Sequence, residues 1–189
     1  MRTRTPNLVD RMLDTAARLF SAHRFHEVRM EDVAAEAEVS KGTLYRYFKD
    51  KEEMYLALLE RASRNLVTLL EQRLADAEGA RTRLLILADA LIGYFDDQPH
   101  LFALIQRAEV LRGTGAGFPW QQARDTTIRL VQDTFAEGER LGEFRVRDPE
   151  QAALMLLGGL RATVRFGVQP RPHDLAERLV DDFLYGVTR

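Results

Sequence analysis

Apolar residues recur at intervals of three and four along most of the 189-residue chain. This spacing places them on one face of an α-helix. The first such stretch begins at Leu8, continues through Met12 and Phe20, and predicts an amphipathic helix that ends near His23. A strand-like alternation of apolar and polar residues does not occur convincingly anywhere, so the pattern favours an all-α protein.

A second, very short helix is predicted around Val33, Ala34 and Ala37. Only the residues 38–40 separate it from a third helix that begins after Ser40, a residue type that caps helix N-termini well. Two short helices with so brief a connection are typical of a helix-turn-helix.

The remainder of the chain reads as longer helices. An apolar pattern that starts at Lys51 and continues to Leu74 predicts a fourth helix, which stops by Gly79. Proline and glycine clusters then delimit five more helical segments, which gives nine in total. These five segments are residues 81–96, 99–112, 120–138, 149–166 and 172–187.

The third helix combines two kinds of side chain. Leu44 and Phe48 are four residues apart and share one face, which can anchor the helix to a core. Cationic, aromatic and small residues lie away from that face, a composition that suits a helix entering a DNA groove; these are Lys41, Gly42, Tyr45 and Arg46. The alternative is a surface helix whose charges are simply solvated.

Charge is distributed unevenly along the chain. The formal net charge is −2, yet residues 1–51 carry ten Lys and Arg against eight Asp and Glu. Basic side chains in the N-terminal arm and around the third helix are placed where they can face phosphate. They are Arg2, Arg4, Lys41, Arg46, Lys49 and Lys51.

Four stretches of the first sixty residues together resemble the TetR family of transcriptional regulators. They are LDTAARLF at 13–20, Phe25, MEDVAA at 30–35 and VSKGTLYRYFKDKEE at 39–53. The resemblance implies a nine-helix protein with a helix-turn-helix DNA-binding domain over residues 1–50 and an effector-binding and dimerisation domain over residues 51–189. The periodicity independently gives the same number of helices.

Carried over to this sequence, the resemblance implies two sets of DNA contacts. Base edges would be contacted by Lys41, Gly42, Tyr45 and Arg46, and phosphates by Thr43, Tyr47 and Lys51. Two positions depart from the family pattern. Glu38 stands where glycine is usual in the turn, and Arg29 stands where a threonine often caps the second helix and touches phosphate. Arginine can still hold a phosphate through its charge.

Residues 149–166 form the most apolar helical segment, with an unbroken apolar run from residue 152 to 157. A helix that is apolar all round is expected to be buried on all sides. The resemblance implies that this eighth helix and the ninth, residues 172–187, pair with their copies in a homodimer. The alternative is the core of a monomer.

Aromatic and polar residues interleave on the helices between residues 81 and 166, as in pockets for small ligands. The candidates are Tyr94, Phe95, Phe102, Gln106, Glu109, Trp120, Arg124, Phe135, Arg161, Arg165 and Phe166. Arg161 and Arg165 need partners if they are buried. Glu109 or Asp182 would make a structural ion pair, whereas an anionic ligand would make a binding site.

Other classes of protein have little support. The chain has no cysteine, its four histidines His23, His26, His100 and His173 are dispersed, and no catalytic or metal-binding motif is present. No secretory signal or membrane span is evident, so a cytoplasmic location is expected. Neither a metal nor a cofactor is expected, and an enzyme built on the helical body is only a remote alternative.

We therefore expect a homodimeric repressor that binds a palindromic operator in double-stranded DNA and is released by a small apolar or amphipathic effector. The alternatives within regulation are an activator or an effector-independent regulator controlled by a protein partner. The sequence does not separate these possibilities.

Overall fold

The computed structural model of the chain describes residues 8–98, 101–102, 104–105, 108, 118 and 120–185. These residues form eight helices and no strand, which confirms the all-α fold class. The helices are α1 (Leu8–Ala22), α2 (Met30–Glu36), α3 (Lys41–Tyr47), α4 (Lys51–Leu74), α5 (Ala80–Asp96), α6 (Gln121–Leu141), α7 (Pro149–Phe166) and α8 (Leu175–Tyr185).

The predicted helix over residues 99–112 lies largely outside the described residues. The described positions within it are all helical, namely Leu101, Phe102, Leu104, Ile105 and Ala108. Arg2, Arg4, His100 and the glycines at 113, 115 and 117 also lie outside the described part of the chain.

The chain divides into two compact units. Unit 1 comprises Met1–Ala62 and Pro99–Trp120, and unit 2 comprises Ser63–Gln98 and Gln121–Arg189. Helix α4 begins in unit 1 and ends in unit 2, so it is continuous across the division. The domain limits expected from the sequence, at residues 50 and 51, stay a prediction.

In unit 1, the predicted apolar face of α1 forms much of the core. Met12, Ala16 and Phe20 are all buried, as are Val33 of α2 and Leu44 of α3. Helix α1 ends at Ala22, within one residue of the expected position. Helices α2 and α3 pack on each other and α1 packs on α2, the arrangement of a helix-turn-helix.

The turn between α2 and α3 contains a strained residue. Glu38 has a φ of +55°, in the left-handed region that side chains with a Cβ disfavour. Its amide donates to the carbonyl of Ala35 (3.1 Å), and the Val39 amide donates to the carbonyl of Ala34 (2.9 Å). The family's usual glycine at this position is therefore explained by backbone geometry, which Glu38 adopts here at a cost.

In unit 2, α6 extends beyond the end expected at Gly138 and stops at Leu141. Gly142 has a φ of +74°, its amide donates to the Glu139 carbonyl, and the Glu143 amide donates to the Gly138 carbonyl. These two bonds form a Schellman motif, which ends a helix with a left-handed residue. The sequence offers both Gly138 and Gly142 as the close of this helix, and Gly142 is the one that ends it.

Gly138 instead serves packing. A Cβ atom at this position would lie 2.2 Å from Cζ of Phe144 and 2.8 Å from Cβ of Ala80. The chain after α6 folds back so that the Phe144 ring occupies this space, 5.8 Å from the ring centre of the fully buried Phe135. Glycine at 138 is required by this close approach.

The segment that follows α6 also caps α5. The Glu143 carboxylate accepts hydrogen bonds from the backbone amides of Ala80 (3.2 Å) and Arg81 (3.1 Å), at the start of that helix. Arg81 in turn donates to both carboxylate oxygens of Asp181 on α8. Its pKa is raised chiefly by this hydrogen bonding to Asp181. These contacts fix α5, α6 and α8 within unit 2.

Helix α7 is not buried on all sides, contrary to the expectation from its apolar sequence. Ala153, Leu156 and Leu160 are buried, whereas Leu154, Met155, Gly158 and Gly159 are exposed. One face packs within unit 2 and the opposite face is uncovered in the single chain. No helix formed by the described residues is long and apolar enough to cross a membrane.

Candidate DNA-binding interface

Two apolar side chains hold α3 in unit 1. Leu44 has 0% of its surface exposed and Phe48 has 5%, so both predicted anchors are confirmed. At the start of the helix, Ser40 Oγ accepts a hydrogen bond from the Thr43 amide (3.0 Å), which confirms Ser40 as the N-cap. The Thr43 hydroxyl lies 2.8 Å from the same oxygen. Thr43, expected at a phosphate, therefore also takes part in the cap.

The opposite face of α3 is open. Tyr45 and Tyr47 expose 39% and 43% of their surface, so both rings are available to a partner. A Cβ atom added to Gly42 would meet only Ser40 Oγ, at 4.0 Å. Packing within the chain thus does not require glycine at position 42, and the backbone there is accessible to a partner.

Lys41 forms an ion pair with α2. Its Nζ lies 2.6 Å from Oε1 of Glu31, and both side chains are largely exposed. The hydrogen bond from Lys41 lowers the pKa of Glu31, and the same bond raises the pKa of Lys41. The ammonium also lies 5.7 Å from the ring centre of Tyr45, four residues along. Sequence reasoning missed Glu31, since a pair between α2 and α3 depends on the angle of the turn.

Arg46 lies next to an aromatic ring on the same exposed surface. Its guanidinium carbon is 5.5 Å from the ring centre of Tyr47. Helix α3 therefore presents two cation–aromatic pairs, Lys41 with Tyr45 and Arg46 with Tyr47, around the open backbone of Gly42. Cations can donate to phosphates and to guanine, and phenol rings can contact thymine methyl groups.

Arg29 is exposed at the N-cap position of α2. The capping bond there comes from Asp32, whose Oδ2 accepts from the Arg29 amide (3.2 Å). The Arg29 side chain makes no capping bond, as expected for a residue without an acceptor.

Lys51 is placed differently from the other expected contacts. Its Nζ donates to the backbone carbonyls of Phe25 (2.6 Å) and Val28 (2.8 Å), in the segment between α1 and α2. It also lies 4.4 Å from the ring centre of Phe25. The side chain is half-buried, so its ammonium faces the protein's own backbone.

The expected effector-pocket residues differ in burial. Two groups of them are buried or half-buried: Tyr94, Trp120 and Phe135 are buried, and Phe95, Phe102 and Arg124 are half-buried. Arg161, Arg165 and Phe166 are exposed, and Phe166 exposes 76% of its surface. Their role in a pocket stays a prediction. Gln106 and Glu109 lie outside the described residues.

A groove in unit 2 has a volume of about 310 Å³. Its lining combines an apolar floor with two arginines; the lining residues are Phe135, Phe144, Arg145, Val146, Arg147, Asp148, Gln151, Ala152, Met155, Phe183 and Leu184. Phe135 alone among them was expected from the sequence. The groove could have been anticipated from the alternation of apolar residues with arginine over residues 144–147.

Charge in this groove is predominantly positive. The Asp148 carboxylate accepts from the amides of Glu150 and Gln151 and so caps α7. Neither Arg145 nor Arg147 forms an ion pair with another described residue. An anionic group with an apolar tail matches this lining.

The all-helical fold of the described residues and the exposed, cationic third helix of a helix-turn-helix are typical of DNA-binding transcriptional regulators. Residues 12–58 match the family model described as bacterial regulatory proteins, tetR family. The chain belongs to the TetR family of transcriptional regulators.

Two curated relatives have names that agree with this class. An uncharacterised HTH-type transcriptional regulator of Mycobacterium tuberculosis is 31% identical over 61% of this chain and 63% of the relative. The HTH-type transcriptional activator FasR of Mycolicibacterium smegmatis is 33% identical over 72% of this chain and 62% of FasR. The chain thus spans somewhat more than three-fifths of the length of these relatives.

A similar fold occurs in the transcriptional regulator FadR of Bacillus subtilis, solved in complex with stearoyl-CoA. The TM-score is 0.78 at 19% identity, over 94% of this chain and 98% of that one. At this identity the likeness concerns the fold alone.

Proposed function

We propose that the protein is a dimeric repressor that binds a palindromic operator with α3 of each subunit in successive major grooves. Recognition helices of such dimers lie about 34 Å apart, one turn of the duplex. The observation that carries the proposal is the open face of α3, where Tyr45, Tyr47 and the bare backbone of Gly42 are exposed beside Lys41 and Arg46. Repression then follows from occupancy of the promoter.

Gly42→Ala tests this role without disturbing the fold. The new Cβ meets no atom of the chain closer than 4.0 Å, so stability should stay the same or rise. In the complex the methyl group would hold the backbone away from the duplex, and we expect operator affinity to fall at least tenfold. Gly93→Ala, on an exposed position of α5 with nothing within 4 Å, is the matched control.

Binding is measured on fragments of the promoter region by fluorescence anisotropy at fixed salt. Tyr45→Ala should weaken operator binding as well, because it removes the exposed ring nearest to Lys41. Operator binding that is unchanged in both Gly42→Ala and Tyr45→Ala would contradict the assignment of α3.

Activation is the second possibility, since the relative FasR is named a transcriptional activator. A promoter–reporter fusion in cells with and without the protein separates the two. Reporter activity that rises when the protein is removed supports repression, and activity that falls supports activation.

The dimer is proposed from the uncovered face of α7. Leu154 and Met155 are exposed large apolar residues, and a Cβ at Gly158 or Gly159 would meet nothing within 4 Å. Small residues beside exposed leucine and methionine allow a second copy to approach closely, and closed two-fold dimers are the commonest oligomers. A palindromic operator requires two reading helices.

The effector is proposed to be an amphipathic anion of the long-chain acyl thioester class. The arginines and phenylalanine floor of the groove in unit 2 match such a molecule, and the B. subtilis FadR of similar fold was solved with stearoyl-CoA. An effector need favour the DNA-free form by only about 1–3 kcal/mol to change DNA affinity up to a hundredfold.

Stearoyl-CoA is the probe for this part of the proposal, with coenzyme A alone as the control for the headgroup. We expect stearoyl-CoA to raise the melting temperature and to release the operator. The double variant Arg145→Gln/Arg147→Gln should need a higher concentration of stearoyl-CoA for the same release of the operator. Equal release in both proteins would place the effector elsewhere, and no release by any acyl thioester would refute the effector class.

A further inference from the structure

Lys51 stands at the first position of α4, where a phosphate contact was expected from the family resemblance. A phosphate site at a helix N-terminus needs unoccupied amides and a cation that can reach the ligand. Both requirements can be checked in unit 1, which contains α1, α2, α3 and the start of α4.

Acidic side chains already accept from one amide within the first turn of this helix and from one amide just before it. Asp50 Oδ1 accepts from the Glu53 amide (2.8 Å), and Glu53 Oε2 accepts from the Lys49 amide (2.6 Å). Asp50, Glu52 and Glu53 put three carboxylates within four residues of Lys51. Their charge occupies the positive end of the helix dipole and repels a phosphate.

The Lys51 ammonium is also occupied. It donates to the carbonyls of Phe25 and Val28, at 2.6 and 2.8 Å, and lies over the Phe25 ring. Charged donors to backbone carbonyls make strong hydrogen bonds, and the partial burial of this lysine strengthens them.

An aromatic cluster surrounds this contact. Phe25 stacks on Phe20 of α1 with ring centres 5.5 Å apart and meets Tyr55 of α4 edge-on at 5.0 Å. Phe20 and Tyr55 are themselves 5.5 Å apart. Lys51 thus closes a cluster that joins the end of α1, the segment before α2 and the first turns of α4.

We infer that Lys51 is a positioning residue, which locks the segment between α1 and α2 onto α4 and thereby holds the helix-turn-helix in its reading position. The inference rests on the proposed DNA binding. Because Lys51 Nζ bonds the carbonyl of Val28, two residues before α2 begins, a displacement of the first turn of α4 is transmitted to the start of α2.

Lys51→Met tests the role, with Lys49→Met as the matched control, since Lys49 is an exposed neighbour of equal charge. The first readout needs no DNA: hydrogen exchange of the Arg24 and Glu27 amides, which bond within the locked segment. We expect exchange at these amides to become at least tenfold faster in Lys51→Met and to stay unchanged in Lys49→Met.

The second readout is the dependence of operator affinity on salt. A lost phosphate contact lowers the slope of log affinity against log salt by about 0.9. For a positioning residue we expect weaker operator binding in Lys51→Met with the same slope as the wild-type protein. A slope reduced by about 0.9 relative to the wild-type protein, with unchanged exchange, would overturn the inference.

Lys51→Gln covers the case in which Lys51→Met folds poorly, because the amide keeps two N–H donors without the charge. If Lys51 acts by holding the two backbone carbonyls, Lys51→Gln should retain part of the protection of the Arg24 and Glu27 backbone amides against exchange. Protection in Lys51→Gln equal to wild type together with a reduced salt slope would again overturn the inference. If wild-type protein binds no duplex, the proposed function fails, and the exchange experiment still decides the role of Lys51.

Discussion

Glu31 on α2 holds the ammonium of Lys41 on α3 at 2.6 Å, so the expected base-reading lysine already has an anionic partner before DNA arrives. The pair links the two helices of the helix-turn-helix across the turn. Binding of DNA must either displace Glu31 or accommodate its negative charge close to the duplex.

Glu31→Gln should therefore raise affinity for the operator and for an unrelated duplex alike, by about two- to fivefold at moderate salt, as expected for an exposed ion pair. The ratio of the two affinities should stay nearly constant, since removal of the Glu31 charge strengthens the attraction to phosphates, which carry no sequence information. Glu36→Gln is the control, because Glu36 pairs with Arg18 of α1 at 3.1 Å and not with α3. Weaker binding in Glu31→Gln would contradict this reading of the pair.

The same pair has a pH signature. The pKa of Glu31 lies below its ordinary 4.5, chiefly because of the hydrogen bond from Lys41. A depressed carboxyl pKa contributes stability that is present above the ordinary value and is lost as the pH falls through the depressed one. We expect no change in the pair between pH 6 and 8. In Lys41→Met the Glu31 pKa should rise, measured by carboxyl-carbon NMR titration; an unchanged titration would show that Lys41 does not hold the carboxylate in solution.

Glu38→Gly should stabilise the protein. A left-handed φ costs a residue with a Cβ about 1–2 kcal/mol, and glycine avoids that cost. Loss of the long 3.7 Å pair between Glu38 and Arg11 offsets only a little of the gain. We expect the free energy of unfolding to rise by about 1 kcal/mol in urea titrations. Glu38→Ala loses the same pair but keeps the strain, so it should show no gain.

Gly138→Ala should destabilise unit 2 by about 1–3 kcal/mol, the usual cost of overpacking. The added methyl group collides with Phe144 and with Ala80. Combined with Phe144→Ala, the further cost of Gly138→Ala should fall, because only the Ala80 contact remains. Gly93 lies in open space on α5, so Gly93→Ala should instead increase the free energy of unfolding, by at most about 1 kcal/mol. Equal effects of the two alanine substitutions would contradict the packing described for Gly138.

Met155→Glu tests the proposed dimer. This side chain is 59% exposed on α7, so a carboxylate there costs the single chain little. Buried between two copies, a pair of unpartnered charges would be strongly unfavourable. Sedimentation should show wild-type dimers and a shift of Met155→Glu toward monomers, with retained helicity. Glu150→Gln, an exposed change in the first turn of the same helix, should leave the dimer intact.

Local sequence patterns were sufficient to predict much of the fold and the orientation of α3. The spacing of Leu44 and Phe48 identifies the buried face of α3 because both lie on one helix, and Ser40 can be recognised as a cap from its type and position. Tertiary relations were not accessible in this way. The Glu31–Lys41 pair depends on how α2 and α3 cross, and Lys51 meets carbonyls that lie 23 and 26 positions away in sequence.

The end of α6 and the expected effector pocket show a second limit of prediction from local sequence. Gly138 looks like a helix stop when read locally, although its role is to admit the ring of Phe144, which becomes visible only after the chain has folded back. In the pocket, aromatic composition does not say which face of a helix points inward. Phe135 is fully buried while Phe166 is exposed, and both were expected to line a cavity.

In helix α3, the residues that pack into the core differ from those that are exposed to a partner. Leu44 and Phe48 secure it, while Lys41, Tyr45 and Arg46 lie outside the core. Randomising those three positions should consequently yield folded variants at high frequency, from which regulators retargeted to new promoter sequences can be selected in cells. The same separation would let the target sequence diverge during evolution without a loss of thermal stability.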